Sequence, residues 1–258
     1  MKYVVTTSYH PTKEMVELAK KLAKEYNVRY INRRHLSEKL KKKEIDFYYV
    51  VDKDLMLSIK WGNNEFFFHQ GIAKIRMENV NHGEKDYLIE SIKPSMDSIV
   101  YDATCGLASE ALLLAYFSKK VIATEGSVHV YRIVKWGLER YTSNVEWINE
   151  AKNKIELIHA NYKEYIRKIN DNFFESVYCD PMFENPIYQS NSINPLRNFA
   201  VYENLNIDDI EEMIRIAKKR VVIKTNIKDS LYKNIKFLFD EEYLSKKSGV
   251  VYGVIKKK

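Results

Sequence analysis

The sequence predicts an α/β protein whose main part is a mostly parallel sheet covered by helices on both faces, preceded by a small α/β unit. Two patterns carry this reading. From Ile99 onward, short apolar strands alternate with helical segments, as βαβ units require. Before Pro94 the order differs: one strand and one helix are followed by three strands separated only by turns.

The N-terminal unit starts with a strand at Lys2–Thr7. Pro11–Tyr26 then places Met15, Leu18, Ala19, Leu22, Ala23 and Tyr26 on one helical face, with Thr12 as N-cap and Glu14 in the first turn. Asp46–Asp52, Leu55–Trp61 and Glu65–His69 read as strands; Lys53-Asp54 and Gly62-Asn63-Asn64 supply the turns. Two short helices follow, GIAKIRMENV and DYLIESI. Pro94-Ser95 marks the expected boundary between an N-terminal unit (1–94) and the main domain (95–258). Beyond it, IVYDA, KKVIATE, KIELIHA, SVYCD and KRVVIKT read as strands. SEALLLAYF, SVHVYRIVKWGLERY, YKEYIRKI and DDIEEMIRIAKK read as the helices between them. NIKFLFDEE and GVVYGVIK close the chain as two strands without a long helix between them, so an antiparallel edge is expected.

Composition narrows the function. The 258 residues are 45% hydrophobic and 30% charged, a globular mix. Lys and Arg number 42 against 35 Asp and Glu, a net charge of +7 that permits a polyanion partner. A coding bias toward Lys, Asn and Tyr gives the same total. With only eight glycines, the chain has no G-x-G-x-x-G, no P-loop and no G-x-S-x-G elbow. Two cysteines, Cys105 and Cys179, make neither a disulfide scaffold nor a four-thiolate zinc site. The six histidines lack ligand spacing, so no metal is expected. No apolar run approaches a signal peptide or a membrane span. A cytoplasmic protein with no membrane partner is the expectation.

In an open α/β sheet, ligands bind beyond the carboxyl ends of the strands. The first main-domain strand ends in Asp102-Ala103-Thr104-Cys105-Gly106, a carboxylate and small residues ahead of a helix. The second ends in Glu125, about 20 residues beyond the glycine turn, where a ribose diol is usually held. The fourth ends in Cys179-Asp180-Pro181-Met182-Phe183. The Asp180 carboxylate and the Pro181 carbonyl are acceptors able to hold both hydrogens of a planar amino group, and Phe183 offers a face for a base to stack on.

These residues resemble the class I S-adenosylmethionine-dependent methyltransferases. More narrowly, they resemble the bacterial family that methylates the exocyclic amine of a guanosine in small-subunit ribosomal RNA. YDATCGLASEALLLA, VIATEG, LIHANY, VYCDPMF and KRVVIK carry the resemblance, which extends over about residues 67–224 and is most specific at DPMF. It implies a Rossmann-like seven-stranded sheet with an antiparallel last strand and S-adenosylmethionine as cofactor. Asp102 and Gly106 would line the methionine end. Ser109 and Glu110 hold contact positions at the start of the helix, Glu125 and Gly126 lie around the ribose, and Asn161 and Tyr162 flank the adenine. Asp180 stands between cofactor and substrate, with Pro181 and Phe183 as its catalytic companions. Arg197 and Lys224 are the implied RNA contacts.

The departures bear on the substrate. Ala108 replaces the usual second glycine, and Ser109 stands where the enterobacterial type has arginine. Gln70, Gly71 and Ile72 replace a Pro-Ser-Met run, and Glu184 follows DPMF where proline is usual. A methyltransferase acting on tRNA, a protein or a small molecule, and a non-catalytic RNA-binding protein of this fold, are the alternatives.

Overall fold

A computed structural model describes residues 1–182 and 194–258. The chain forms two compact units: Met1–His69 with Arg132–Thr142 and Ser192–Asn198, and Gln70–Tyr131 with Ser143–Asn191 and Phe199–Lys258.

The first unit is a four-stranded sheet. Its elements are β1 (Tyr3–Thr7), α1 (Lys13–Glu25), α2 (Leu36–Lys41), β2 (Phe47–Val51), β3 (Leu57–Trp61) and β4 (Asn64–Phe67), with strand order β1-β2-β3-β4. β1 and β2 are parallel, and the two hairpins that follow are antiparallel. Thr12 caps α1, accepting from the Met15 N–H at 3.3 Å. Met15, Ala19, Leu22 and Ala23 are the buried face of α1. A 3-10 turn, Arg33–His35, leads into α2, whose Leu36 and Leu40 pack with Val4, Tyr48 and Val50. This turn and helix are absent from the sequence reading, because two apolar residues make too short a period to stand out.

The second unit contains α3 (Gly71–Asn81), α4 (Tyr87–Ile92), β5 (Ile99–Asp102), α5 (Ser109–Phe117) and β6 (Lys120–Glu125). Then come α6 (Val128–Arg140), α7 (Glu146–Lys152), β7 (Ile155–His159), α8 (Tyr162–Ile166) and β8 (Phe174–Cys179). The chain ends with α9 (Asn194–Arg197), α10 (Ile207–Ile216), β9 (Ala217–Asn226), α11 (Ser230–Ile235), β10 (Glu241–Leu244) and β11 (Val250–Lys256). Strand order is β10-β11-β9-β8-β5-β6-β7. β5 to β9 run parallel, and β11 is antiparallel to both β9 and β10. This is the expected seven-stranded sheet with its antiparallel edge.

The structure departs from the sequence reading at further points, among them the helix α7, which is absent from that reading. The contact boundary follows His69 rather than Pro94, because α3 and α4 pack on α5, β9 and β11. From Arg132 onward α6 belongs to the first unit, where Trp136 donates to the Leu55 carbonyl at 3.0 Å. Gly137 leaves room there for Phe68, whose ring carbon would lie 2.0 Å from an added Cβ. Asn234–Glu242, read as one strand, is the end of α11, a 3-10 turn and the start of β10. Its Phe239 lies against Gly253, so the apolar run marks a packed turn. Among the described residues, no helix is long and apolar enough to cross a membrane.

Candidate active site at the tips of β5, β6, β8 and β9

β5 is the middle one of the five parallel strands, with β6 on one side and β8 on the other, so the loops after these strands share one edge. Backbone bonds continue the pairing past the strand ends. Ala103 N–H donates to the Tyr178 carbonyl at 2.8 Å, and Cys105 N–H to the Thr124 carbonyl at 2.9 Å. Asp180 N–H donates to Thr104 Oγ1 at 2.7 Å, which ties the tip of β8 to the loop after β5. Cys105 and Cys179, at the ends of these adjacent strands, are buried free thiols, and burial pushes both well up from the ordinary thiol range.

Asp102 is fully buried. Its Oδ1 accepts from Thr104 N–H at 3.1 Å, while Oδ2 is buried with no hydrogen-bond partner among the described residues. Burial pushes its carboxyl up to about 8. Gly106 takes φ 51°, a conformation glycine adopts without strain, and its N–H donates to Glu125 Oε2 at 3.1 Å. Ala108, where the resemblance implies a second glycine, also takes positive φ, at 61°, immediately before α5. Glu125 Oε1 accepts from Ser127 N–H at 2.7 Å; burial pushes this carboxyl up to about 7 against those two bonds. Each Glu125 oxygen thus has one donor and keeps a second lone pair. Gly126 beside it is exposed.

Asn161 caps α8 through Lys163 N–H and donates to Glu203 Oε1 at 2.7 Å. The Tyr162 hydroxyl and Ser109 Oγ are buried without a hydrogen-bond partner among the described residues. Pro181 and Met182 line a cavity of about 310 Å³ together with Glu203, Asn206, Asp229 and Asn234. Phe183 and Glu184 lie outside the described residues. Arg197 closes α9 in the first unit.

Charge continues inward from Asp180. Its Oδ2 is 2.6 Å from Lys224 Nζ on β9. Lys224 also lies 3.4 Å from Glu110 Oε1, and Glu110 lies 3.0 Å from Arg76 Nη1. Arg76 grips Asp86 through Nε and Nη2, both at 2.8 Å. Burial pushes the Asp180 carboxyl up, and Lys224 pulls against it. Burial would raise Glu110 too, but Lys224 and Arg76 together hold it below the usual range. The two residues expected in different roles, Glu110 at the cofactor and Lys224 at RNA, therefore share one ion-pair chain. Arg76, Asp86 and Thr104 complete the network. Arg76 lies within the predicted helix GIAKIRMENV, but no local spacing marks it.

The family model for SAM-dependent methyltransferases matches residues 16–238. The chain belongs to the SAM-dependent methyltransferase family. It is 31% identical over 258 residues to the uncharacterized protein YpiP of Bacillus subtilis, covering 98% of each chain. It is 27% identical over 217 residues to ribosomal RNA small subunit methyltransferase J of Colwellia psychrerythraea, covering 81% of this chain and 78% of that one. The Desulfotalea psychrophila protein of the same name is 29% identical over 139 residues, 52% of this chain and 51% of its own. Among solved structures, a SAM-dependent methyltransferase of Neisseria gonorrhoeae shares the fold with TM-score 0.65 at 16% identity, covering 98% of this chain and 95% of that one.

The site fits such a cofactor. The orphaned Asp102 Oδ2 is an acceptor suited to the ammonium of a methionine moiety, and Glu125 retains acceptor capacity for ribose hydroxyls.

Removing Lys224 leaves Asp180 as a partly buried carboxylate without its cation. Lys224→Met should lower stability by about 1–2 kcal/mol at neutral pH, measured by urea denaturation, and should raise the Asp180 pKa in carbon-13 NMR titration. Lys224→Arg should lose less. An unchanged denaturation midpoint and titration curve would show that the pair is a loose surface contact.

Proposed function

We propose that this protein transfers a methyl group from SAM to the exocyclic amine of a guanosine in small-subunit ribosomal RNA. The observation that carries the reading is Asp180-Pro181 at the tip of β8, hydrogen-bonded to the loop after β5 and ion-paired to Lys224. The names of the Colwellia and Desulfotalea relatives support the RNA substrate. When bound, SAM supplies an electrophilic sulfonium methyl group.

The chain's own task is to position and polarise. Asp102 and Glu125, with Gly106 and Gly126, take the polar parts of the cofactor. Ser109, Asn161 and Tyr162 line its remaining contacts. A guanine amine is a poor nucleophile because its lone pair is delocalised into the ring. Hydrogen bonds from that amine to the Asp180 carboxylate and the Pro181 carbonyl favour the pyramidal, nucleophilic form and stabilise the charge that develops on nitrogen. Lys224 acts on Asp180: it holds the carboxylate in one place and favours its ionised, accepting form. Glu110 and Arg76 in turn hold Lys224. Phe183 would clamp the base by stacking on it.

The direct test is transfer of tritiated methyl groups from SAM to isolated small subunits, naked small-subunit rRNA and tRNA, followed by nucleoside analysis. The expected product is a guanosine methylated on its exocyclic amine, from rRNA or small subunits. Asp180→Ala should lower turnover by a factor of about 100 or more, as when one preorganised contact is removed, with cofactor affinity far less affected. Label only in tRNA, in protein or on another atom would overturn the substrate assignment. Full activity in Asp180→Ala would make the Asp-Pro turn a structural feature.

The raised carboxyls also set a pH dependence. With folded values of about 8 for Asp102 and about 7 for Glu125, both stay largely protonated near pH 6. Without cofactor, each favours the folded state at low pH, and that contribution is lost as pH rises through its folded value. A cationic ammonium favours ionised Asp102, so cofactor binding should release protons. S-adenosylhomocysteine affinity should therefore rise between pH 6 and about 8.5 and then level off. Calorimetry in buffers of different ionisation enthalpy measures both quantities; a flat affinity without proton release would remove Asp102 from the binding site.

A further inference from the structure

The positive charge of this protein is not spread along the chain. The first unit holds 18 lysines and arginines against 10 acidic residues, a net +8, and the second holds 24 against 25, a net −1. A coding bias toward lysine acts on the whole chain and would load both units alike. The surplus therefore belongs to the unit that does not carry the methyl-transfer site.

Within that unit the charge is densest between Arg29 and Glu44. Arg29, Arg33, Arg34, Lys39, Lys41, Lys42 and Lys43 face only two acids there. Both acids are already paired, Glu44 with Lys39 at 2.6 Å and Glu38 with Lys42 at 2.7 Å. The fold explains why these cations reach solvent. Leu36 and Leu40 bury one side of α2 in the core with Val4, Tyr48 and Val50, leaving Arg34, Lys41, Lys42 and Lys43 exposed.

Aromatic rings sit among the cations. The Arg33 guanidinium lies 5.3 Å from the ring centre of Tyr9 and 4.6 Å from that of Tyr48, and its Nη1 is buried without a hydrogen-bond partner among the described residues. Tyr48 is buried, whereas Tyr9, just beyond the end of β1, is 66% exposed. A large aromatic ring propped on a guanidinium and left open to solvent is a stacking platform. Lys20, 5.9 Å from the Tyr30 ring, adds a second cation–aromatic pair.

We infer that the Arg29–Lys43 segment and Tyr9 form a binding surface for unpaired RNA, with Arg34, Lys41 and Lys43 on phosphates and Tyr9 stacking on a base. This rests on the RNA reading of the proposed function and assigns RNA capture to the first unit. Backbone charge supplies most of non-specific nucleic-acid affinity, and exposed rings engage bases that are not paired. The second unit, at −1, offers no such surplus to a polyanion.

The test uses the full-length protein and a fluorescein-labelled single-stranded RNA of small-subunit sequence, read by anisotropy across a salt series. Arg34→Glu, Lys41→Glu and Lys43→Glu together should weaken binding at least tenfold at about 0.1 M salt and flatten the salt slope by about 2, at roughly 0.7 per phosphate contact. Tyr9→Ala should weaken binding about tenfold with little change of slope, and Tyr9→Trp should retain it. S-adenosylhomocysteine affinity should be unchanged in all variants. If the triple variant does not fold, the Tyr9 pair carries the test alone. RNA binding by the parent that none of these variants reduces would overturn this inference and leave the RNA reading standing. A parent that binds S-adenosylhomocysteine but no RNA, or binds phosphatidylserine vesicles in its place, would overturn both.

Discussion

The ion pair between Asp180 and Lys224 is the constraint on which the rest of the site depends. A carboxylate partly buried at a strand tip loses much of its hydration and tends to take up a proton. At 2.6 Å, Lys224 counters that tendency, but a partly buried lysine needs compensation of its own. Glu110 supplies it, Arg76 compensates Glu110, and Asp86 holds Arg76 through two parallel bonds. Four side chains, from α3, the N-cap of α4, α5 and β9, thereby fix the one carboxylate at the tip of β8. The surrounding sheet makes that possible, because β5, β8 and β9 are consecutive neighbours and their tips come to one edge.

Asp102 and Glu125 follow the opposite logic. Neither has a cation against it in this network, and burial raises both into the range where they titrate near neutral pH. Asp102 keeps one buried oxygen without a partner, and Glu125 ties the glycine loop to β6 through Gly106. Left uncompensated in this way, Asp102 is suited to a cationic group and Glu125 to hydroxyl donors, whereas Asp180 is already compensated and suited to a neutral amine. In the proposed function, the same edge of the sheet would separate cofactor recognition from substrate recognition by how each acid is neutralised.

Strand tips were legible in the sequence because their residues are adjacent in the chain: Asp102 to Gly106, Glu125-Gly126 and Cys179-Asp180-Pro181 all appear where a strand reading ends. The alternation from Ile99 onward likewise foretold the parallel sheet and its antiparallel edge. Partners that arrive from elsewhere were not legible. Arg76 reaches Glu110 from a helix 34 residues earlier, and nothing in GIAKIRMENV distinguishes it from a surface arginine. Lys224 reads as a solvent-facing cation at a strand tip until β8 is placed beside β9. The short α2 was invisible because its apolar period spans only Leu36 and Leu40, although it organises the basic surface. The run at Asn234–Glu242 misled because Phe237, Leu238 and Phe239 suit a strand, while the chain turns there to set Phe239 against Gly253.

The most direct test of this division of labour is a crystal structure with S-adenosylhomocysteine. In that structure the amino-acid ammonium should lie on Asp102 Oδ2, the ribose hydroxyls on Glu125 and the sulfur facing Asp180, with the Asp180–Lys224 pair intact. A ligand bound with its ribose away from Glu125, or with its sulfur turned away from Asp180, would contradict it.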